Sequence, residues 1–324
     1  MRRTVAPTCC RTTHQRQPGP TAAVWSDGAV NDRRTSLVTT PDESVRDDPG
    51  SLRLLAEQVV TEAAAHLHTL PRPWEQRPTG AALPGVSTKS TPTDVVTASD
   101  TALEALVRER LAQLRPGDAV VGEEGGGAAA DGAVTWVVDP IDGTVNFLYG
   151  LPWYAVSLAA TRDGGSLAGA VAEPASGRLW SAARGAGATC DGRPLRCSAE
   201  TDLAMTMVGT GFAYTPQRRA RQAAFVGGLL PRVRDLRRSG SSALDVCSVA
   251  AGWLDAYVEH GPHWWDWATA ALIAEEAGAV VRVPARPGYP APDDGLGPDV
   301  LLVAARGVAG ELTALAAELG AAEV

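Results

Sequence analysis

Residues 137–147 read VVDPIDGTVNF and place two carboxylates, Asp139 and Asp142, three residues apart at the end of an apolar run. Pro140 fixes a turn directly after that run, and Gly143 permits an unusual backbone conformation or the close approach of a ligand. Two acids held in this way repel each other unless a cation stands between them. Hard divalent cations such as Mg2+ prefer carboxylate, carbonyl and water oxygens, so aspartates converging at a turn are apt ligands. A helix beginning at Gly143–Thr144 would add free backbone N–H groups and a dipole that favours an anion beside the metal. Metal ligands adjoining a phosphate cradle point to phosphoryl chemistry. The bland alternative is a surface turn whose acids cap the next helix. An EF-hand does not fit, because the D-x-D-x-D-G alternation and its closing Glu are missing.

Other acids stand ready to join the pair. Glu123 and Glu124 close the short apolar run AVVGEE (119–124) and offer a third carboxylate, although a strand-end Glu pair is more often simply solvated. Asp266 opens the apolar stretch HWWDWATAALIAEEAG (263–278) and, taken alone, reads as a helix N-cap. Asp94 and Asp100, in TKSTPTDVVTASD, pass equally well as turn and cap residues. His66, His260 and His263 accompany no G-x-S-x-G or H-E-x-x-H motif and are expected to be structural. RRSGSSALD (237–245) either holds an oxyanion or begins a helix. Trp264, Trp265 and Trp267 read as packing, with one face free to line a pocket.

The elements that must position these groups come from a chain of 324 residues, enough for one large or two medium domains. Hydrophobic residues at 45% and charged residues at 20% describe an ordinary globular protein. A net charge of −8 without a basic stripe argues against nucleic acid as the main partner, though bound cations would still admit phosphate-bearing small molecules. No run approaches the ~18 apolar residues of a membrane span, and no secretory signal is visible. Five scattered cysteines without metal-ligand spacing fit reduced thiols and a cytoplasmic location. Lys89 is the only lysine beside 28 arginines, which hints that a compact ammonium is wanted there.

Residues 1–50 lack apolar periodicity and read as a disordered extension. A helix is expected from Ser51, on Leu52, Leu55, Val59, Ala63 and Leu67, and a second after Asp100. Strands are expected at 119–124 and 134–140, followed by antiparallel hairpins over 153–196 with turns at Asp163-Gly164 and Asp191-Gly192. Beyond Ser198 strands near 205–210, 254–259, 279–283 and 299–303 alternate with helices near 217–229, 241–251, 266–277 and 308–319. The pattern is an N-terminal α+β domain (51–197) followed by a C-terminal α/β domain (198–324).

In this order, GEE (122–124), WVVDPIDGTVNF (136–147), GSSALDVCSVAAGWLDAY (240–257) and WDWATAALIAEEAG (265–278) resemble the inositol monophosphatase family of Mg2+-dependent, Li+-sensitive phosphatases. TKSTPTDVVTASD (88–100) is similar to that family's N-terminal Lys-and-Asp segment, and the likeness covers residues 51–320. The resemblance implies a layered αβαβα sandwich and two to three Mg2+ ions. Glu123, Asp139 and the Ile141 carbonyl would hold the first ion, and Asp139, Asp142 and Asp266 the second. A third would lean on Glu123 and water. Thr144 and Asp100 would polarise the attacking water with help from Glu123, and the N–H groups of Gly143 and Thr144 would cradle the phosphate. Glu259 would accept a hydrogen bond from a substrate hydroxyl, Gly240, Ser241 and Ser242 would line the sugar side, and Lys89 and Asp94 would stand behind the metal ligands. The resemblance further implies a homodimer acting on inositol 1-phosphate. Histidinol phosphate and fructose 1,6-bisphosphate are the nearest alternative substrates, and an interaction protein on the same fold, such as a partner of transcription machinery, is the alternative of another class. Two features depart from the pattern: the segment from Glu123 to Asp139 is short and Gly/Ala-rich, and 209–217 (GTGFAYTPQ) does not announce a substrate contact.

Overall fold

The computed structural model describes residues 47–72, 86–89, 91, 95–286 and 289–324, all within one compact unit, Pro41–Val324. Most of the expected disordered extension, and Asp94, lie outside these residues. The first helix among the described residues, α1 (Pro49–Leu67), begins two residues before Ser51. Its N-cap is Asp48, whose carboxylate accepts the Ser51 N–H, so Ser51 occupies the first turn and not the cap. A small hairpin, β1 (Val86–Thr88) and β2 (Val95–Thr97), leads into α2 (Ala98–Leu114).

The next strands build a seven-stranded sheet in chain order: β3 (Ala119–Gly122), β4 (Thr135–Asp142), β5 (Ala155–Arg162), β6 (Gly165–Glu173), β7 (Arg178–Ala183), β8 (Ala188–Cys190) and β9 (Arg193–Pro194). A six-residue helix, α3 (Thr144–Tyr149), follows β4 directly. Both expected turns are present, with positive φ at Asp163 and Gly164 and at Asp191 and Gly192, as two-residue hairpin loops require.

The second half supplies β10 (Met207–Thr210), α4 (Pro216–Leu229), β11 (Asp235–Arg237), α5 (Ser242–Ala250), β12 (Ala256–His260), α6 (Trp264–Glu276), β13 (Val280–Arg282), β14 (Val300–Ala304) and α7 (Ala309–Glu318). Its five strands lie in the order β11-β10-β12-β14-β13. The change of sheet falls between Pro194 and Met207.

Strand alternation divides the core into three. Trp136, Val138, Val156 and Leu158 pack outward on Leu52, Val59, Leu103 and Val107 of α1 and α2. Val137, Ala159 and Val171 face the other way, onto α5 and α6, which in turn meet Tyr257, Leu301 and Val303 of the second sheet. On the far side Val208, Val258 and Leu302 pack on Phe225, Leu229 and Leu312 of α4 and α7. Helices, sheet, helices, sheet and helices are stacked as an αβαβα sandwich, and the middle helical layer draws its core from both halves.

Candidate active site

The acids converge because of strand register. β3 and β4 are parallel, with Gly122 beside Val138, so Glu123 emerges next to Asp139 and its N–H donates to the Val138 carbonyl at 3.3 Å. Simple alternation would put Asp139 and Asp142 on opposite faces of the sheet. Against β5, however, Asp139 pairs with Ser157 and Asp142 with Ala155, so three steps on β4 match two on its neighbour. That bulge, at Pro140 and Ile141, returns both carboxylates to one side and occupies a position where a missing N–H does no harm.

The sandwich then brings α5 and α6 to the same place. Asp142 receives the Ser241 hydroxyl at 2.5 Å and the Ala243 N–H at 2.7 Å, and the Ser242 N–H at 3.2 Å, so it caps the start of α5 from another strand. Asp266 lies in the first turn of α6, not at its cap: His263 is the N-cap, and its N–H donates to Asp266 at 2.6 Å. Asp100 likewise closes a capping box with Thr97, whose N–H and hydroxyl donate to Oδ2 at 2.8 and 2.5 Å. Its Oδ1 faces the Thr144 hydroxyl at 3.0 Å, and that hydroxyl is also 3.0 Å from the Ile141 carbonyl. The capping function and the convergence therefore coexist: Asp142 and Asp100 each accept most of their bonds on Oδ2, and Oδ1 is left with one, from the Ser242 N–H and the Thr144 hydroxyl respectively.

Asp139 has no such anchor. Its Oδ1 is buried without a hydrogen-bond partner among the described residues. Burial, then the charges of Glu123, Asp142 and Asp266, push its pKa well above the usual carboxylate range. Burial also raises Asp266 strongly, with Asp142 and Glu123 adding to it. Asp142 is raised by burial to about 7 despite the bonds from Ser241 and Ala243, and Asp100 to about 6 despite those from Thr97 and Thr144. Among the described residues no three such side chains are already drawn to a single point. The donor set nevertheless fits a hard divalent cation: carboxylates, a backbone carbonyl and an orphaned buried oxygen, all under mutual repulsion that a cation would relieve.

Lys89 supplies the local cation. Its ammonium reaches Glu123 and Glu124 at 2.7 Å each, and these acids outweigh the opposing effect of burial and hold its pKa up. The turn carrying Glu123 is fixed from below by Glu104, which accepts the Glu124 and Gly125 N–H groups at 2.7 and 2.9 Å and pairs with Arg108 at 2.7 Å. A Cβ at Gly122 would collide with that carboxylate. Glu104 escaped the sequence reading, although a Glu beside Leu103 and Val107 on an apolar helix face is a usable signal.

One cavity of 480 Å3 collects the set. Glu123, Asp139, Ile141, Asp142, Gly143, Thr144 and Asp266 line one end, with Lys89 beside them. Gly240, Ser241 and Ser242 line the stretch from Asp142 to Glu259, which stands at the other. Asp100 stands just behind Thr144 and does not line the cavity. Glu259 accepts from the Ser242 hydroxyl and the Tyr257 phenol, both at 2.6 Å. β10 runs parallel to β12 with Thr210 beside Val258, so Gly211 meets Glu259, where any Cβ would collide with its carboxylate. The uninformative stretch 209–217 therefore shapes this end, and Phe212 and Tyr214 also line it. Asn146, one of only two asparagines, bonds the Trp153 and Ser239 carbonyls at 2.7 and 2.8 Å and ties α3 to the Ser-rich turn. Gly143 and Gly240 have φ of 95° and 100°; a Cβ at Gly143 would press on the Gly240 and Trp153 carbonyls, and one at Gly240 on the Asn146 amide and Arg238. Tyr257, Arg218 and Arg238 are further lining groups that the sequence reading did not single out. His260 is buried, and burial lowers its pKa to about 4, so it is a neutral packing residue, as expected.

The inositol monophosphatase family profile matches residues 56–322. The chain belongs to that family. An inositol-1-monophosphatase of Mycobacterium leprae is 54% identical over 287 residues, covering 86% of this chain and 96% of the relative. The solved structure of Mycobacterium tuberculosis SuhB superimposes with a TM-score of 0.70 at 43% identity, covering 86% of this chain and all of that one. A Nus factor SuhB of Xylella fastidiosa is 40% identical over 183 residues, 56% of this chain and 66% of the relative. For this inositol monophosphatase family member no described helix is long and apolar enough to cross a membrane.

Proposed function

We propose that the chain is a Mg2+-dependent phosphate-monoester hydrolase, with inositol 1-phosphate as its substrate. The observation that carries this is Asp139, a buried carboxylate with an unpartnered oxygen amid Glu123, Asp142 and Asp266. Glu123, Asp139 and the Ile141 carbonyl would hold one Mg2+, Asp139, Asp142 and Asp266 a second, and Glu123 a third. When bound, such ions neutralise phosphoryl oxygens and lower the pKa of water.

The chain's own groups do the rest. Asp100 accepts the Thr144 proton at 3.0 Å, which turns a lone pair of the Thr144 oxygen toward an incoming water. Gly143 and Thr144 offer backbone N–H groups to the phosphate. Glu259, held by Ser242 and Tyr257, presents its remaining lone pairs to a ring hydroxyl, and Gly240 to Ser242 form the adjoining wall. Lys89 balances Glu123 and Glu124 beside the metal end. In this division residues 51–197 carry the metal end and 198–324 the sugar end, with Asp266 crossing over.

The Mycobacterium leprae relative, an inositol-1-monophosphatase, favours inositol 1-phosphate over histidinol phosphate or fructose 1,6-bisphosphate. The Xylella relative's name favours a second role as a partner of transcription machinery; a complete set of acids favours catalysis. We assign a cytoplasmic, Li+-sensitive homodimer. A panel of phosphate esters assayed with Mg2+ tests the assignment. Turnover of histidinol phosphate about a hundredfold above inositol 1-phosphate, some 2.7 kcal/mol in barrier, would overturn the substrate.

A further inference from the structure

Helix α6 carries a second cavity on its other flank. Trp267, Leu272 and Glu275 form its floor, and helical spacing places them on the face turned away from Asp266. The cavity measures 370 Å3, within the roughly 300–1,000 Å3 typical of small-molecule sites. Leu167, Val281 and Val283 supply apolar walls.

Three guanidinium groups line this space, and they are not equivalent. Arg184 is committed to Glu275 at 2.5 Å, and Arg162 to Asp47. Arg286 has no carboxylate partner among the described residues. Its guanidinium carbon lies 4.6, 5.4 and 4.5 Å from the ring centroids of Trp264, Trp267 and Tyr289, and its Nε is buried without a hydrogen bond. Reciprocal backbone bonds between Arg286 and Tyr289, at 2.9 and 2.8 Å, hold the side chain in this cage, and Gly164 leaves room for it. Rings satisfy the faces of a guanidinium and leave its in-plane N–H fork unused. Burial without an offsetting acid lowers its pKa.

We propose that this cavity binds a small organic carboxylate with a flat apolar body. The fork of Arg286 matches the two oxygens of a carboxylate. One uncompensated guanidinium balances a monoanion, whereas a phosphate dianion would need a second free cation that Arg162 and Arg184 do not provide. The apolar walls take the body of the ligand.

Benzoate is a suitable probe, titrated against the full chain by ligand-observed NMR and calorimetry, with and without saturating Mg2+ and inorganic phosphate to load the first cavity. Saturable binding is expected, indifferent to phosphate, absent for benzylamine, and weakened about tenfold or more in Arg286→Gln, as loss of a charged hydrogen-bond partner implies. Leu167→Trp, which fills the cavity and leaves Arg286 in place, should abolish binding as well and keeps the test valid if Arg286→Gln unfolds. No benzoate binding, equal binding of benzylamine, displacement by phosphate, or unchanged affinity in both variants would each overturn the site.

Discussion

Asp139 and Glu259 line the same cavity and solve opposite problems. Asp139 has an unpartnered buried oxygen and three acids raising its pKa. Glu259 has two hydroxyls at 2.6 Å and a glycine cleared opposite it. A buried carboxylate left uncompensated is costly, so Asp139 calls for a proton or a cation, and the proposed Mg2+ would supply the latter. A carboxylate already half satisfied by neutral hydroxyls is suited to one more neutral hydroxyl. The two ends of the cavity are therefore distinguishable by how each acid is satisfied, before any ligand is considered.

The largest expected effect comes from erasing the charge at the metal end. Asp139→Asn keeps the shape, removes the anion its neighbours repel, and should lower turnover of inositol 1-phosphate by about a thousandfold or more, some 4 kcal/mol in barrier. Its melting temperature in EDTA should equal or exceed that of wild type, because the lost charge was repelled. A wild-type rate would remove Asp139 from the metal set, and a lower melting point in EDTA would make it a structural acid. Thr144→Ala comes next. Asp100 keeps its bonds from Thr97, so the fold should hold, while kcat falls about a hundredfold, in the range of general acid–base contributions, with KM nearly unchanged.

The third contrast is between protons and Mg2+. Asp142 has a folded pKa of about 7 against an ordinary 3.8, and burial and neighbouring acids also hold Asp139 and Asp266 well above the ordinary carboxylate range. A raised folded pKa means that the native state binds more protons than the unfolded chain, so stability falls as pH rises from about 4 through about 7. In EDTA the melting temperature should therefore drop from pH 6.5 to pH 8, a fall that His260, neutral in the fold down to about 4 and half-protonated in the unfolded chain at pH 6.5, offsets by only about 0.4 kcal/mol. Added Mg2+ at a hundred times its dissociation constant should stabilise by about 2.7 kcal/mol, and a fixed Mg2+ concentration should stabilise more at pH 8 than at pH 6.5. Differential scanning at the two pH values measures this; a Mg2+ shift independent of pH would place the cation away from these carboxylates.

Much of this was legible beforehand, for identifiable reasons. Residue types and turn chemistry marked Asp139, Asp142 and Asp266, and periodicity placed β4, β12 and α6 within a few residues. Contacts set by tertiary register were not legible. Glu123 meets Asp139 only because β3 and β4 are parallel, and the Asp139–Asp142 pair shares a side only because of the bulge. Gly211 faces Glu259 through a pairing between strands 48 residues apart, as in the Thr210–Val258 bond. Local ambiguity hid the caps: Asp48, Thr97 and His263 start the helices that Ser51, Asp100 and Asp266 had suggested. β11 was missed because three half-polar residues, Asp-Leu-Arg, carry no period to read. The cage around Arg286 joins α6 to the loop after β13, which no spacing rule connects.

The smallest expected effect sharpens the other end. Glu259→Gln keeps an acceptor for Ser242 and Tyr257 but turns an NH2 group where a carboxylate oxygen stood. A ring hydroxyl that donated to the acid then meets a donor, and the loss should be about one charged hydrogen bond, roughly 1.5 kcal/mol or about tenfold in kcat/KM, carried mainly by KM. An aryl phosphate without ring hydroxyls should be hydrolysed by this variant at nearly the wild-type rate. Equal losses on both substrates would mean that Glu259 acts through the acids at the opposite end, Asp142 and Asp266 among them, and the division of the cavity into a cation end and a hydroxyl end would fail.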